Sequence, residues 1–325
     1  MNSRIFSVVK YLLFLSLAIF LLYWTFQGQD IGSLFNNIQQ ANYLWVLASV
    51  LACLIAHVLR AIRWTLLIEP LGYNISTKNA FYAVMIGYLA NLAFPRLGEV
   101  SRCGVLHKTD KVPMNQLLGT VITERLFDLL LLLSTTLLAI LLEFKRISGF
   151  IYQHVWLKLE TVFADGLVLW MSLISMVLIL FFYVIRSKIR VLIKPFSNSL
   201  KGFKSGLLSF WGMKNKGPFM LLSVLIWFCY FLSTYLCFFA LSDTAELSPL
   251  AALSALVLGS LGMIVPVQGG IGAFHWMVAE GLGLYGIDKL HGLAFGTLIH
   301  STQLLVILII GGISLIPTLL YRNKN

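Results

Sequence analysis

Charge is scarce in this chain, and acidic charge is scarcest. Only 11% of the 325 residues are Asp, Glu, Lys or Arg, and just 13 are acidic. A soluble domain of this length covers its surface with roughly 25% charged residues, so a soluble fold is excluded. There is no G-x-S-x-G, no Walker A loop, no paired Asp-x-Asp and no polar stretch the size of a catalytic domain. A nucleotide-driven pump and a loop-based glycosyltransferase are therefore disfavoured, and no cofactor is expected. The four cysteines (Cys53, Cys103, Cys229 and Cys237) make neither a C-x-x-C pair nor a Cys/His cluster with zinc spacing. Disulfides and a metal site are not expected. The bases behind the net charge of +11 lie between apolar spans rather than on a compact basic domain. They report membrane orientation and contact with anionic headgroups, not nucleic acid.

What the chain has in abundance is apolar sequence: 59% of residues, with a mean hydropathy of +0.87. Long apolar stretches fall near 6–26, 43–59, 79–95, 116–142, 166–185, 217–241, 249–266 and 290–318. The longer ones reach the roughly 20 residues that a helix needs to cross a bilayer. The first follows Arg4 and Lys10, and no small-x-small cleavage site follows at Tyr23-Trp24-Thr25-Phe26. It reads as an uncleaved span rather than a signal peptide. The stretches ending at Pro95 and Pro266 are shorter and stop at breaks.

Loop charge sets the expected topology. Segment 186–216 carries Arg186, Lys188, Arg190, Lys194, Lys201, Lys204, Lys214 and Lys216 and no acid, which places it in the cytoplasm. Loops 27–42 and 242–248 contain acids and no base, so both are external. Span two then ends inside, at Arg60 and Arg63. A full crossing by 79–95 would deliver the basic loop to the wrong face. A re-entrant 79–95, entered from inside, removes the conflict, and 96–115 is too polar for a second crossing. The same count makes 249–288 re-entrant from outside, or two short spans. The expected fold is an all-α polytopic membrane protein of about six full spans plus two broken or re-entrant regions, ending near Pro95 and Pro266 and related as an inverted repeat. It forms a single transmembrane domain over 1–325 with no soluble domain, in the plasma or inner membrane, with both termini cytoplasmic.

Four constellations could carry chemistry. Arg60 and Arg63 are three apart and share a helix face. They anchor the inner membrane face or bind a headgroup phosphate, for which arginine offers a planar bidentate fork. Next, Asn91, Pro95, Arg96, Gly98, Glu99 and Arg102 gather at the first break, where Asn91 can hydrogen-bond freed backbone. The alternative there is an ordinary loop with satisfied ion pairs. Glu124, Arg125 and Asp128 lie on one turn inside an apolar helix. Their formal charge of −1 calls for an outside cation, with Arg60, Arg63, Arg96 and Arg102 as candidates. Intramembrane ionisable residues default to functional hypotheses, though a purely structural network stays open. Finally, Gly269, Gly270 and Gly272 follow Pro266. They permit a tight turn and close backbone approach, and the helix behind them would point its N–H groups at the break. Glycines also pack membrane helices closely. His275, Glu280, His291 and His300 read as hydrogen-bonded helix residues rather than ligands.

Taken together, Arg60-x-x-Arg63-Trp64, Asn91…Pro95-Arg96-x-Gly98-Glu99-x-x-Arg102, Glu124-Arg125-x-x-Asp128 and Pro266…Gly269-Gly270-x-Gly272 resemble the transmembrane domain of lysylphosphatidylglycerol synthase/flippase proteins, over roughly 10–320. The resemblance implies a domain linked to moving aminoacylated or glycosylated lipids between leaflets. Larger members add a cytosolic aminoacyltransferase domain; these 325 residues hold no such segment, and lysyl transfer is not expected. The family pattern Pro-x-Pro-Gly-Gly-x-Gly with a following glutamate is altered here, with Gln268 at the second proline and His275 near the glutamate.

The expectation is a flippase-like protein, not an enzyme and with no catalytic residue. It would move a lipid with a polar or charged headgroup, a phospholipid or lipid-linked substrate. Arg60, Arg63, Arg96 and Arg102 would hold phosphate, with Glu99, Glu124 and Asp128 balancing them and Arg125 completing the site. The alternatives are an intramembrane lipid-modifying enzyme, with Glu124 or Asp128 as acid or base, and a non-transporting accessory subunit. A homodimer or a membrane partner is left open, with 186–216 as the partner surface.

Overall fold

The computed structural model describes residues 15–144, 146, 176 and 197–320, and every regular element among them is helical. The expected span 166–185, apart from Met176, lies outside the described residues, as do 1–14, 186–196 and 321–325. In chain order the helices are α1 Leu15–Phe26, α2 Ile31–Gln39, α3 Tyr43–Ile68, α4 Thr77–Ala93, α5 Leu97–Asp110, α6 Met114–Leu142, α7 Ser197–Leu207, α8 Ser209–Gly212, α9 Gly217–Phe238, α10 Pro249–Gly262, α11 Ala273–Gly283 and α12 Lys289–Leu320. Several starts are written in the sequence. Asn42 accepts from the Leu44 N–H, Ser76 from that of Asn79 and Ser248 from that of Ala251. Each satisfies a backbone donor that the first helical turn leaves unpaired.

Four helices are long and apolar enough to cross a bilayer: α3, α6, α9 and α12. The 26 residues of α3 extend about 39 Å at 1.5 Å each, beyond the ~30 Å of hydrocarbon. The apolar stretch read from the sequence ends near 59, with Arg60 and Arg63 on the same helix at its inner end. The helix continues to Ile68, because Trp64, Leu67 and Ile68 extend its apolar face and are fully buried. Both arginines lie within the helix, more than a turn before its end.

Between the long helices sit two helical hairpins. The 14 residues of α5 and of α10 reach only about 21 Å, too short to cross. The segment 96–115, too polar for a second crossing, holds the helix Leu97–Asp110, with Cys103 and Leu106 completely buried. The α4–α5 hairpin bends at Phe94–Arg96, and the α10–α11 hairpin bends across 263–272. The first opens toward a hydrophobic cluster that includes Leu67, Ala80, Leu106, Leu117 and Phe219. The second opens toward a separate cluster containing Leu34, Phe238, Ala252, Leu282 and Phe295. These clusters mark opposite ends of the helical bundle. Both hairpins are therefore re-entrant, from opposite ends.

Helices α3 and α9 run antiparallel along the centre, tied at one end by the Asn42 N–H to Ala240 carbonyl bond and about two turns further in by Ser49 and Ser233. Hairpin α4–α5 and helix α6 follow α3; hairpin α10–α11 and helix α12 follow α9. Contacts exchange between the two units, with α4 packed on α12 and α10 on α6. The units run in opposite directions, and residues of both breaks line one cavity.

Candidate functional site

One turn of α6 carries three charges, two of which, Glu124 and Asp128, enter the buried interior, and the structure shows what balances them. Glu124 is fully buried. Its Oε1 accepts from Arg60 Nη1 at 2.7 Å, both of its oxygens accept from Arg102 Nη1 at 3.3 and 3.1 Å, and Arg63 Nη2 lies 3.4 Å away. Asp128 accepts from Arg60 Nη1 and Arg63 Nη2, each at 2.8 Å. These arginines come from α3 and α5, so the network staples the first unit together. They are 5%, 0% and 3% exposed for Arg60, Arg63 and Arg102. Further groups close round them. Tyr230 on α9 accepts from Arg60 at 3.2 Å, Ser223 accepts from Arg63 at 3.2 Å, and the Arg102 guanidinium lies 4.7 Å from the Trp64 ring centre. Burying charge is tolerable only when it is paired and hydrogen-bonded to this degree.

The fourth arginine of the region faces elsewhere. Arg125 is 41% exposed and holds Glu99 Oε1 at 3.4 Å and Asp128 Oδ2 at 3.6 Å. Arg125, Glu99 and Arg96 all line a cavity of about 400 Å³. Across it stand Met263 to Val267, Gly269 and Gly270 of the second break, with His300, Gln303 and Leu304 of α12. The cavity joins the two breaks. Arg96 is exposed, makes no ion pair among the described residues, and sits at φ 63°. An L side chain in that left-handed region costs roughly 1–2 kcal/mol. Strain of this kind collects where surrounding structure holds it for a purpose.

Each break is held by a side chain that replaces a lost backbone partner. Asn91 Oδ1 accepts from the Gly98 N–H at 2.7 Å, as its position suggested. A Cβ on Gly98 would lie 2.7 Å from the Asn91 carboxamide carbon, so only glycine lets the arms of this hairpin approach. At the second break Gly269, Gly270 and Gly272 all have positive φ. The Gly272 N–H donates to His275 Nδ1 at 3.2 Å. That amide is therefore engaged rather than presented to an anion. His300 stacks on Phe274 at 4.6 Å and meets His275 edge-on at 5.0 Å. Beyond His300 and Leu304 lies a second, largely apolar cavity of about 570 Å³, lined also by Tyr23, Phe26, Ile31 and Ile271.

The eight charged residues singled out in the sequence thus come together in two layers. Arg60, Arg63, Arg102, Glu124 and Asp128 form the buried network; Arg96, Glu99 and Arg125 reach the cavity. Pro95, Pro266, Gly269 and Gly270 line that cavity too. Sequence reasoning missed Tyr230 and Ser223, seven apart on one face of α9, as partners of the arginines. It also missed Gln303 and left His300 as an ordinary helix residue. Polar side chains inside an apolar span were the available signal. Among the described residues no group of three or more His, Cys, Asp or Glu is placed to hold a metal ion.

Comparison with known proteins points to a membrane-protein family. The UPF0104 membrane protein MJ1595 of Methanocaldococcus jannaschii is 33% identical over 125 residues, covering 38% of this chain and 36% of the relative. The match thus spans about a third of that relative's length. No solved structure matches the chain. The family model described as lysylphosphatidylglycerol synthase TM region matches residues 8–311, nearly the whole length. This multi-pass membrane protein belongs to the family of the lysylphosphatidylglycerol synthase transmembrane region.

Proposed function

We propose that this protein is a flippase-like transporter that moves a lipid between leaflets without chemical conversion. The observation that supports it is the cavity between the two breaks. It is bounded by hairpins entering from opposite ends, and it places Arg96, Glu99 and Arg125 opposite flexible glycine backbone. Discontinuous helices meeting near mid-depth are how transporters build a site that either face can reach. The buried layer of Arg60, Arg63, Arg102, Glu124 and Asp128 holds the first hairpin against α3 and α6 and orients the cavity wall. Headgroup contact passes to Arg96, Glu99 and Arg125. Two arginines against one carboxylate leave that wall a formal +1, which suits an anionic headgroup. The larger apolar cavity past His300 and Leu304 gives the acyl chains a route into the bilayer.

The test is leaflet exchange of labelled phospholipids in proteoliposomes of defined composition. Exchange should exceed that of empty vesicles and fall at least tenfold in Arg125→Ala and Glu99→Gln. Exchange unchanged by both substitutions would reject the site, and none across anionic, zwitterionic and glycosylated headgroups would reject the function.

A further inference from the structure

We propose that residues 197–216 form a docking surface for anionic lipid headgroups, and that bound lipid steadies the junction of α3, α6 and α9. The surface shares no residue with the lining of the cavity between the breaks. It lies across one end of the bundle: Gly202 abuts Asn115 at the start of α6, Gly212 abuts Pro70 just past α3, and Lys216 directly precedes α9. Charge on the segment has one sign. Lys201, Lys204, Lys214 and Lys216 are all exposed, and 186–216 contains no acid. Leu208 and Trp211 stand among these lysines and are 43% and 64% exposed. Helices that cross a bilayer end among headgroups, where an indole suits the boundary and each lysine near an anionic leaflet strengthens attraction about fivefold. A lipid surface is therefore the partner at hand. Orientation in the membrane needs net charge alone, but this segment is also packed onto the buried ionic layer. Thr123 Oγ1 donates to the Leu207 carbonyl at 2.8 Å, one residue before Glu124. Lys216 Nζ lies 5.9 Å from the Phe210 ring centre, Phe210 lies 5.3 Å from Phe219, and the Arg63 guanidinium lies 5.7 Å from Phe219. A Cβ on Gly206 would strike the Gln116 carbonyl, so α7 and α6 meet backbone to backbone and shift together. Lipid that holds the lysines thereby holds the turn of α6 that carries Glu124.

Brominated lipids test the surface, because bromine quenches tryptophan on contact. The full chain is placed in phosphatidylcholine nanodiscs with a minority of brominated phosphatidylglycerol or, in parallel, brominated phosphatidylcholine. The quenching that Trp211→Phe removes reports lipid beside Trp211, and it should be at least about fivefold greater with the anionic lipid. K201Q, K204Q, K214Q and K216Q together should bring the two lipids level; all four side chains are exposed, so the fold should survive. Arg125→Ala, which alters the cavity instead, should keep the preference. Equal quenching in the unmodified protein overturns the inference and leaves the lysines to an acidic protein surface. A preference lost in Arg125→Ala but kept in the lysine variant puts the lipid in the cavity and overturns it too. So does release of the lipid by inorganic phosphate beyond that by chloride of equal ionic strength, which would show a free-anion site. For the coupling, phosphatidylglycerol should raise the thermal unfolding midpoint, and Phe210→Leu should shrink that rise while keeping the lipid preference. A rise unchanged in Phe210→Leu overturns the coupling.

Discussion

The two breaks answer the same structural problem with opposite materials. At Phe94–Arg96 the chain turns within three residues, and ionic attachments to neighbouring helices fix the hairpin: Arg102 to Glu124, and Glu99 to Arg125. At 263–272 the turn is longer and uncharged. Three glycines with positive φ shape it, and the His275 imidazole accepts from the Gly272 N–H. Opposed hairpins give the fold an inverted symmetry that the site does not share. One wall of the cavity carries charged side chains, while the other offers neutral groups on glycine-rich backbone. Under the proposed function the first break would serve as an anchor and the second as a hinge.

The largest effect should come from attacking the anchor. Glu124→Gln leaves Arg60, Arg63 and Arg102 facing a neutral group, and losing one partner of a buried charge cluster costs about 3–5 kcal/mol. Thermal unfolding in detergent should show a steep drop; a shift no larger than that of a surface variant would mean that the ionic layer does not hold the hairpin. Next come the glycines. Gly98→Ala drives a methyl into Asn91, and Gly272→Ala adds strain at φ 84° with Leu21 2.8 Å away. Each should cost about 1–3 kcal/mol. If the second break is a hinge, Gly272→Ala should also reduce leaflet exchange by more than its stability loss explains. Removing the caps is milder. Asn91→Ala and His275→Ala each orphan one backbone N–H and should cost about 1–2 kcal/mol, while His275→Asn, which restores an acceptor, should recover part of the loss.

The smallest stability change sharpens the contrast most. Arg96→Gly relieves the left-handed strain and should raise stability by about 1 kcal/mol, yet it removes the exposed cavity arginine and should lower exchange at least tenfold. A variant that is both less stable and fully active would contradict both halves of that expectation.

Much of this was legible beforehand, for physical reasons that differ by residue. Pro95 and Pro266 announce breaks because proline and glycine act on the local backbone. Asn91 is readable as a cap because its partner, Gly98, is seven residues away. The loop-charge count made 79–95 re-entrant and 249–288 either re-entrant or two short spans, and α5 and α10, at 14 residues each, are too short to cross. That Arg60 and Arg63 are buried was not legible, because a positive charge after an apolar run resembles a membrane anchor; only the structure shows that the helix stays packed beyond them, at Trp64, Leu67 and Ile68. Tyr230 and Ser223 could not be assigned to those arginines from spacing, since they lie more than 150 residues away in sequence.

By itself the sequence determined the membrane class, the long spans, the two breaks and the presence of charge at depth. Apolar run length, proline, glycine and net charge are local quantities that do not depend on which helix neighbours which. Tertiary structure alone decided the division of labour among five arginines. Three approach the carboxylates of α6 to within hydrogen-bond distance and are consumed there, whereas Arg96 and Arg125 are left facing the cavity with His300 opposite. Coulomb attraction and hydrogen bonding fall off over a few ångströms, so such roles are set by distances between distant parts of the chain.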